Sequence, residues 1–244
     1  MKEWKQAYSL TKLELRHSPY TFITLLIFYT VITSSLIMIF TTYMESGFVG
    51  FDIFFLFLFL FSPAWSRIKE FQFQRINSDV YMVPFVHLCQ QLPISLNTII
   101  NNRFILYFIQ AFPIQLLSLS SFYFFIPELQ SQVNPLEYIA FMVFWLSFGI
   151  YAGFVSPASD IGLEMKATEK KGLQALYFIA FFAIVIALFT GFHLIFKHGF
   201  VYWTLKLAIA QPVLVILISI LLAWLGIIYW KRKMRKTLRT IDYF

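Results

Sequence analysis

Residues 67–103, which read RIKEFQFQRINSDVYMVPFVHLCQQLPISLNTIINNR, form the longest interruption in an otherwise apolar sequence. The charged side chains of this segment are Arg67, Lys69, Glu70, Arg75, Asp79 and Arg103. A membrane-spanning helix needs roughly 20 consecutive, predominantly apolar residues, so this segment does not qualify as a span. The sequence on either side consists of apolar segments joined by short connections. We therefore expect membrane spans before and after a polar loop.

The composition is that of an integral membrane protein. Of the 244 residues, 59% are hydrophobic and only 13% are charged, against roughly a quarter in soluble domains. Residues 1–18 mix charged and apolar side chains without a signal-peptide pattern, so we expect the first span to be retained. The single Cys89 excludes an internal disulfide and is expected to be a small buried or interfacial side chain.

Six predominantly apolar segments are long enough to cross a bilayer, and Asp52 is the only Asp, Glu, Lys or Arg residue within them. In a bilayer the backbone polar groups must be satisfied within the segment, which favours helices. Phe and Leu alternate strictly through residues 55–61, a pattern typical of a strand, but both residue types are apolar and a lone strand would leave its backbone unpaired. We predict an all-α protein with six spans, at residues 20–41, 48–66, 104–127, 138–159, 172–196 and 207–230.

The N-terminal 18 residues predict a helix that lies along the membrane surface. Trp4, Tyr8, Thr11 and Leu15 fall at helical spacing, and basic side chains occupy other faces. A solvated tail is the alternative. Ser18 followed by a proline then predicts the start of the first span.

The basic residues predict the orientation of the chain. With the N-terminus inside, 17 of the 19 Lys and Arg residues lie on the inner side, and only Lys197 and Lys206 lie outside. This asymmetry follows the positive-inside rule, so both termini are expected in the cytosol and the protein in the cell membrane. Because the basic residues are sorted by membrane side rather than gathered on a soluble face, the net charge of +7 does not predict nucleic-acid binding.

Sequence signatures of catalysis are sparse. The glycines never form a P-loop, no G-x-S-x-G elbow occurs, and the four histidines lack the spacing of a zinc protease. We therefore expect no catalytic residue, no metal site and no cofactor in this chain. Asp52 is expected at the membrane interface, with a substrate or gating role as the alternative. For His193 and His198, aromatic-rich interfacial packing is weighed against metal or proton chemistry.

Two further patterns lie within the predicted spans. Gly149 and Gly153 form a GxxxG pair, which lets helix backbones approach within one subunit or between two. Aromatic side chains recur in the second and fifth spans, where they either face lipid or line a path for an apolar substrate. The residues of this candidate path are Phe51, Phe55, Phe59, Tyr177, Phe181 and Phe189.

The order of parts resembles the membrane subunit of an ABC-2 type exporter. The most specific piece is Leu92-Pro93-Ile94-Ser95, followed by Thr98-Ile99-Ile100 and Arg103, which is similar to the LP-[VI]-S stretch of that family. The aromatic segment from Gly191 to Leu207 is similar in placement to the external re-entrant element of such permeases. Where family members often carry a basic residue after the serine, this chain has Leu96 and Asn97.

The resemblance implies a division of labour between chains. Two such subunits would pair as a homodimer or heterodimer, and separate ATPase subunits would bind ATP and Mg²⁺. A short coupling helix before Leu92, about Pro84 to Gln91, would sit in a groove of the ATPase; a helix lying on lipid is the alternative. The expected coupling residues are Phe85, Val86, His87, Gln90, Gln91, Leu92, Pro93 and Ser95.

The expected cargo is hydrophobic or amphipathic, such as a peptide, toxin, drug or lipid-like molecule, because intramembrane charge is scarce. Two other functions stay open from the sequence. An intramembrane enzyme would need acidic and histidine side chains to converge, and the candidates are Asp52, Glu137 and His193. A non-transporting sensor or scaffold is the other.

Overall fold

The computed structural model is almost entirely helical. It describes residues 2–60, 71, 74–75, 81–82, 84–161 and 171–240. The helices are α1 (Lys2–His17), α2 (Pro19–Ser46), α3 (Val49–Leu60), α4 (Pro84–Gln91), α5 (Leu96–Phe125), α6 (Pro127–Gln132), α7 (Pro135–Gly153), α8 (Val155–Ser159), α9 (Lys171–Phe196), α10 (Phe200–Ala210) and α11 (Pro212–Thr240). Two-residue strands, β1 (Gln74–Arg75) and β2 (Tyr81–Met82), pair antiparallel with Gln74 opposite Met82.

Within the described residues, five helical stretches are long and apolar enough to cross a membrane, which is the architecture of a multi-pass membrane protein. They are Phe22–Ser46, Leu96–Phe125, Pro135–Ser159, Ile179–Phe196 and Pro212–Thr240. The predicted all-α class is thereby confirmed. In the predicted second span, residues 49–60 form the shorter apolar helix α3, and residues 61–66 lie outside the described residues.

Several helix boundaries differ from the predictions. The third span was expected from residue 104, but α5 begins at Leu96 and continues through Pro113. The sixth was expected from residue 207, but residues 207–210 end the separate helix α10, and α11 begins at Pro212. Proline removes a backbone donor and suits the first turn of a helix, so it separates these two apolar helices.

An aromatic core surrounds α3. Phe51, Phe55 and Phe59 line one row of this helix and are almost completely buried. The ring of Phe55 packs edge-on against Trp145 of α7, with 4.8 Å between ring centroids. Tyr29 of α2 donates a hydrogen bond to the Leu58 carbonyl at 2.5 Å. The described part of α3 is thus packed among its neighbours along the face that carries this row.

Helix α11 packs along α7, and the two helices approach closely near one end. The Trp230 indole donates a hydrogen bond to the Tyr151 carbonyl at 2.7 Å. A Cβ at Gly226 would lie 3.1 Å from the Tyr151 ring, so a small residue is needed there. Below this contact, Trp230, Met234 and Leu238 are buried in a second apolar cluster with α5.

Candidate functional site

Helix α4 is the short helix that the family resemblance singled out. It begins at Pro84, ends at Gln91 and is too short to cross a membrane. After the Leu92–Pro93 turn, Ser95 caps α5 by accepting a hydrogen bond from the Thr98 backbone N–H at 3.2 Å. A proline start followed by a turn and a serine cap places a separate helix at the start of α5.

The inner face of α4 is apolar and packs against α5. Phe85, Val86 and Cys89 are 6%, 0% and 1% exposed and belong to the apolar cluster that contains Ile99, Ile100 and Phe104. Burial raises the pKa of the Cys89 thiol to about 11. The sequence prediction placed Phe85 and Val86 among the surface that grips a partner, but the structure turns both side chains inward.

The outer face of α4 has a different set of side chains. Leu88 and Leu92 are 54% and 46% exposed. Gln91 and Pro93 are also exposed, and the Gln91 amide lies 2.9 Å from the His87 ring nitrogen Nε2. Leu88 of α4 is absent from the predicted coupling set, and Leu92 lies in the turn that directly follows this helix. An exposed leucine pair with a polar rim is the surface that α4 and this turn offer.

Beneath α4 lies a group of buried charges, the Arg103 cluster, formed by Glu14, Arg103 and Asp160. One Arg103 Nη donates to a Glu14 carboxylate oxygen at 2.5 Å, and the other lies 3.5 Å from Asp160. Its guanidinium carbon is 5.2 Å from the centre of the Phe85 ring. Arg103 thus joins α1, α5, α4 and the residue that follows α8.

The Arg103 cluster is almost completely buried, since Arg103 is 0% and Glu14 is 3% exposed. Removing one partner of a buried ion pair leaves the other charge uncompensated, which costs about 3–5 kcal/mol. The sequence identified Arg103 as part of a motif but missed Glu14 and Asp160. The available signal was the row Ala7, Thr11 and Glu14, which is buried on one face of α1.

Helix α1 is fixed to the start of α5 by two further polar contacts. The Asn102 amide donates to the Thr11 hydroxyl at 3.0 Å, and the Ser95 hydroxyl donates to Glu3 at 2.7 Å. The predicted surface row included Thr11 beside Trp4 and Tyr8. The structure divides that row, because Thr11 is buried against α5 whereas Trp4 and Tyr8 are half-exposed.

At the far end of the spans, Asp52 joins α3 to the start of α10. One carboxylate oxygen accepts hydrogen bonds from the Tyr43 hydroxyl and from the Val201 backbone N–H, both at 2.8 Å. Val201 lies in the first turn of α10, where a negative charge is favourable. Gly199 is needed beside it, because a Cβ there would overlap the other Asp52 oxygen. Asp52 therefore holds α2, α3 and the start of α10 together.

His193 and His198 lie near Asp52, at the turn between α9 and α10. A Cβ on Gly47 would be 2.9 Å from His193 Nδ1, so that ring covers the left-handed end of α2. The His198 ring stacks on Tyr202, with centroids 4.2 Å apart. Among the described residues, no group of three or more His, Cys, Asp or Glu side chains is arranged to hold a metal ion.

The structure separates the two aromatic rows of the candidate substrate path. Phe51, Phe55 and Phe59 are packed inside the aromatic core, whereas Tyr177 and Phe181 are 57% and 41% exposed on α9. Phe189 is half-buried and contacts Phe200. The two rows therefore do not form one continuous wall.

Gly149 and Gly153 face α3 and α5 of the same chain. A Cβ on Gly149 would lie 2.9 Å from the Gln115 side chain, and one on Gly153 would lie 3.0 Å from the Phe59 carbonyl oxygen. The small residues therefore allow three helices to approach closely at this level.

Comparison with known proteins adds no further assignment, because no family model, curated protein or solved structure matches this chain.

Proposed function

We propose that this chain is the membrane subunit of an ABC-2 type exporter. It would move a hydrophobic or amphipathic substrate out of the cell by alternating access, driven by separate ATPase subunits that bind ATP and Mg²⁺. The observation that carries the proposal is α4, a separate amphipathic helix that is held against α5, with Leu88 exposed on the helix and Leu92 exposed in the turn that follows it. An exposed apolar pair on a short helix and its adjoining turn is suited to a groove on a partner.

The contacts around Arg103 give this partner a way to act on the spans. A displacement of α4 would move Phe85 against Arg103, and Arg103 would transmit the displacement to Glu14 on α1. Helix α5 has 30 residues and is about 45 Å long, so a movement at its start would extend across the bilayer. Packed helices transmit displacement because their interiors are dense.

The proposal includes six spans with both termini in the cytosol. The distribution of Lys and Arg supports this orientation, which places α1 and α4 on the ATPase side and the α9–α10 turn outside. Helix α3, with residues beyond Leu60, would form the second span. Helix α1 would lie at the membrane surface with Trp4 and Tyr8 toward lipid, while its Thr11 face holds α5.

A second permease subunit and the cargo would use surfaces that the fold leaves open. Helix α9 exposes large apolar side chains along most of its length, such as Leu188, Leu194 and Ile195. We assign this helix to the contact with the second subunit and to the adjoining cargo path, with Tyr177 and Phe181 on it.

The proposal is tested by isolating the tagged chain from native membranes in mild detergent. Mass spectrometry should identify a P-loop ATPase in the complex, and the complex should hydrolyse ATP. About tenfold less of this ATPase should co-purify with the double variant L88D/L92D than with the wild type, because the variant places charges in an apolar contact. L13D is the matched control, since Leu13 is as exposed as Leu92 but lies on α1.

Two outcomes would contradict the proposal. One is a wild-type complex without any ATPase. The other is an equal loss of the ATPase in L13D and in L88D/L92D, which would mean that α4 is not the contact.

A further inference from the structure

Helix α11 continues beyond its apolar part into a basic end. Residues 212–230 contain no charged side chain and extend about 28 Å, close to the thickness of a bilayer core. The basic residues begin at Lys231, so the last turns of α11 lie at the depth of the lipid headgroups when the apolar part spans the membrane.

Along one face of this helix, an apolar side chain is followed by two cationic side chains and then by a hydroxyl. Ile228, Arg232, Lys236 and Thr240 are spaced four residues apart, which places them on one helical face. Arg232, Lys236 and Thr240 are exposed. Their order follows the order of chemical groups in a phospholipid, from acyl chain through phosphate to a polar headgroup.

The adjacent row repeats the same order. Leu225, Tyr229, Lys233 and Thr237 are again four residues apart, and the Lys233 ammonium lies 5.6 Å from the centre of the Tyr229 ring. The Thr237 hydroxyl donates to the Lys233 carbonyl at 3.1 Å, so its oxygen lone pairs remain able to accept. Together the two rows border a shallow, open groove between side chains on the surface of α11 alone, which we call the α11 basic groove.

Within the part of the chain that the structure describes, the cations of this groove have no paired counter-charge. No carboxylate of the described residues lies within salt-bridge distance of Arg232, Lys233 or Lys236, whereas Arg103 is paired with two. Arg235, on another face of α11, bonds to Asn97 instead. Arg232 and Lys236 are thus directed outward at the membrane edge, where an anion would neutralise them.

We infer that the α11 basic groove binds an anionic glycerophospholipid. The phosphate lies between Arg232 and Lys236, an acyl chain follows Ile228 and Leu225, and the threonine oxygens accept hydrogen bonds from headgroup hydroxyls. A lipid fits better than a protein because the groove continues directly into the apolar surface of the span. The cations select an anionic over a zwitterionic headgroup, and each contributes to attraction at the membrane surface.

The test uses the full chain, together with any subunit that co-purifies, in detergent. The protein is titrated with dioleoyl phosphatidylglycerol and separately with dioleoyl phosphatidylcholine, and bound lipid is counted by native mass spectrometry. The wild type should prefer phosphatidylglycerol. The R232Q/K236Q variant should bind it about thirtyfold more weakly and should bind phosphatidylcholine unchanged.

The matched control is K2Q/K5Q, which removes two exposed charges from α1 and should keep the preference. The charge-preserving R232K/K236R should also keep it. Equal binding of the two lipids, equal loss in K2Q/K5Q, or a preference that survives R232Q/K236Q would overturn the inference. Loss of a bound protein from R232Q/K236Q with unchanged lipid preference would assign the groove to that protein instead.

Two measurements on the wild type alone complete the test. Glycerol 3-phosphate should not displace phosphatidylglycerol, and displacement at equal concentration would indicate a site for small phosphate anions. Raising NaCl to ~0.5 M should weaken phosphatidylglycerol binding through charge screening, and a salt-independent preference would contradict the site.

Discussion

Helices α3 and α9 have similar compositions but opposite environments. Both are rich in Phe and Leu, and neither has a Lys or Arg residue along most of its length. In α3, the row Phe51, Phe55 and Phe59 is buried among aromatic neighbours. In the described side chains of α9, Val185 alone is buried.

This difference indicates that polar contacts and small residues on neighbouring helices determine which apolar helix is buried within the protein. Asp52 ties α3 to α2 and α10, and Gly149 and Gly153 of α7 let it approach closely. The buried Nδ1 of His193 on α9 makes no hydrogen bond within the described part of the chain. Within a bilayer, apolar burial alone drives little association, so such contacts have more weight than hydrophobicity.

The largest effect is expected from D52A in comparison with H193A. D52A leaves the Tyr43 hydroxyl and the Val201 N–H buried without an acceptor, which should cost about 2–4 kcal/mol. H193A removes a ring whose buried Nδ1 makes no hydrogen bond within the described residues, and it should cost about 1 kcal/mol or less. Thermal unfolding in detergent measures both. D52N keeps an acceptor oxygen, so its loss of stability should lie between those of D52A and H193A. If H193A lost as much stability as D52A, α9 would be anchored as firmly as α3.

An intermediate effect is expected from F55A on α3, with F181A on α9 as the matched control. F55A removes a ring that packs on Trp145 and Phe122. Because the unfolded helices also remain in an apolar medium, the cost should be about 2–3 kcal/mol, at or below the lower limit for soluble cores. F181A should leave the unfolding temperature of the isolated subunit unchanged. Similar losses in both variants would remove the contrast between the two helices.

Smaller effects are expected from two glycine substitutions, one of which should destabilise the protein and the other stabilise it. G153A forces a Cβ to within 3.0 Å of the Phe59 carbonyl oxygen and should cost about 1–2 kcal/mol. G191A on α9 meets nothing within 4 Å and should stabilise the helix by up to about 1 kcal/mol. The difference in unfolding temperature between the two variants is the measurement. A destabilising G191A would indicate a neighbour packed on α9.

The sequence predicted the helices better than their contacts. Apolar runs without charge identify α2, α5, α7, α9 and α11, and the backbone argument correctly overruled the strand-like alternation after Phe55. The early start of α5 was missed because Asn101, Asn102 and Arg103 are polar, and only their burial against α1 explains their place in a long helix.

The candidate site was predictable in position but not in orientation. The Leu92-Pro93-Ile94-Ser95 turn located α4, yet both faces of that helix are partly apolar, so the pattern could not show that Phe85 points inward and Leu88 outward. The Glu14–Arg103 contact joins residues 89 positions apart, and no local pattern encodes such a pairing.

That separation also sets an order of events during synthesis. At about 5–20 residues per second, Arg103 emerges from the ribosome several seconds after Glu14. Helix α1 is therefore synthesised before α5, the helix on which it docks. In the proposed orientation, Trp4, Tyr8 and the basic side chains of α1 would hold this helix at the membrane surface during that interval. Docking on α5 would then bring Glu14 to Arg103, which also contacts Asp160 after α8.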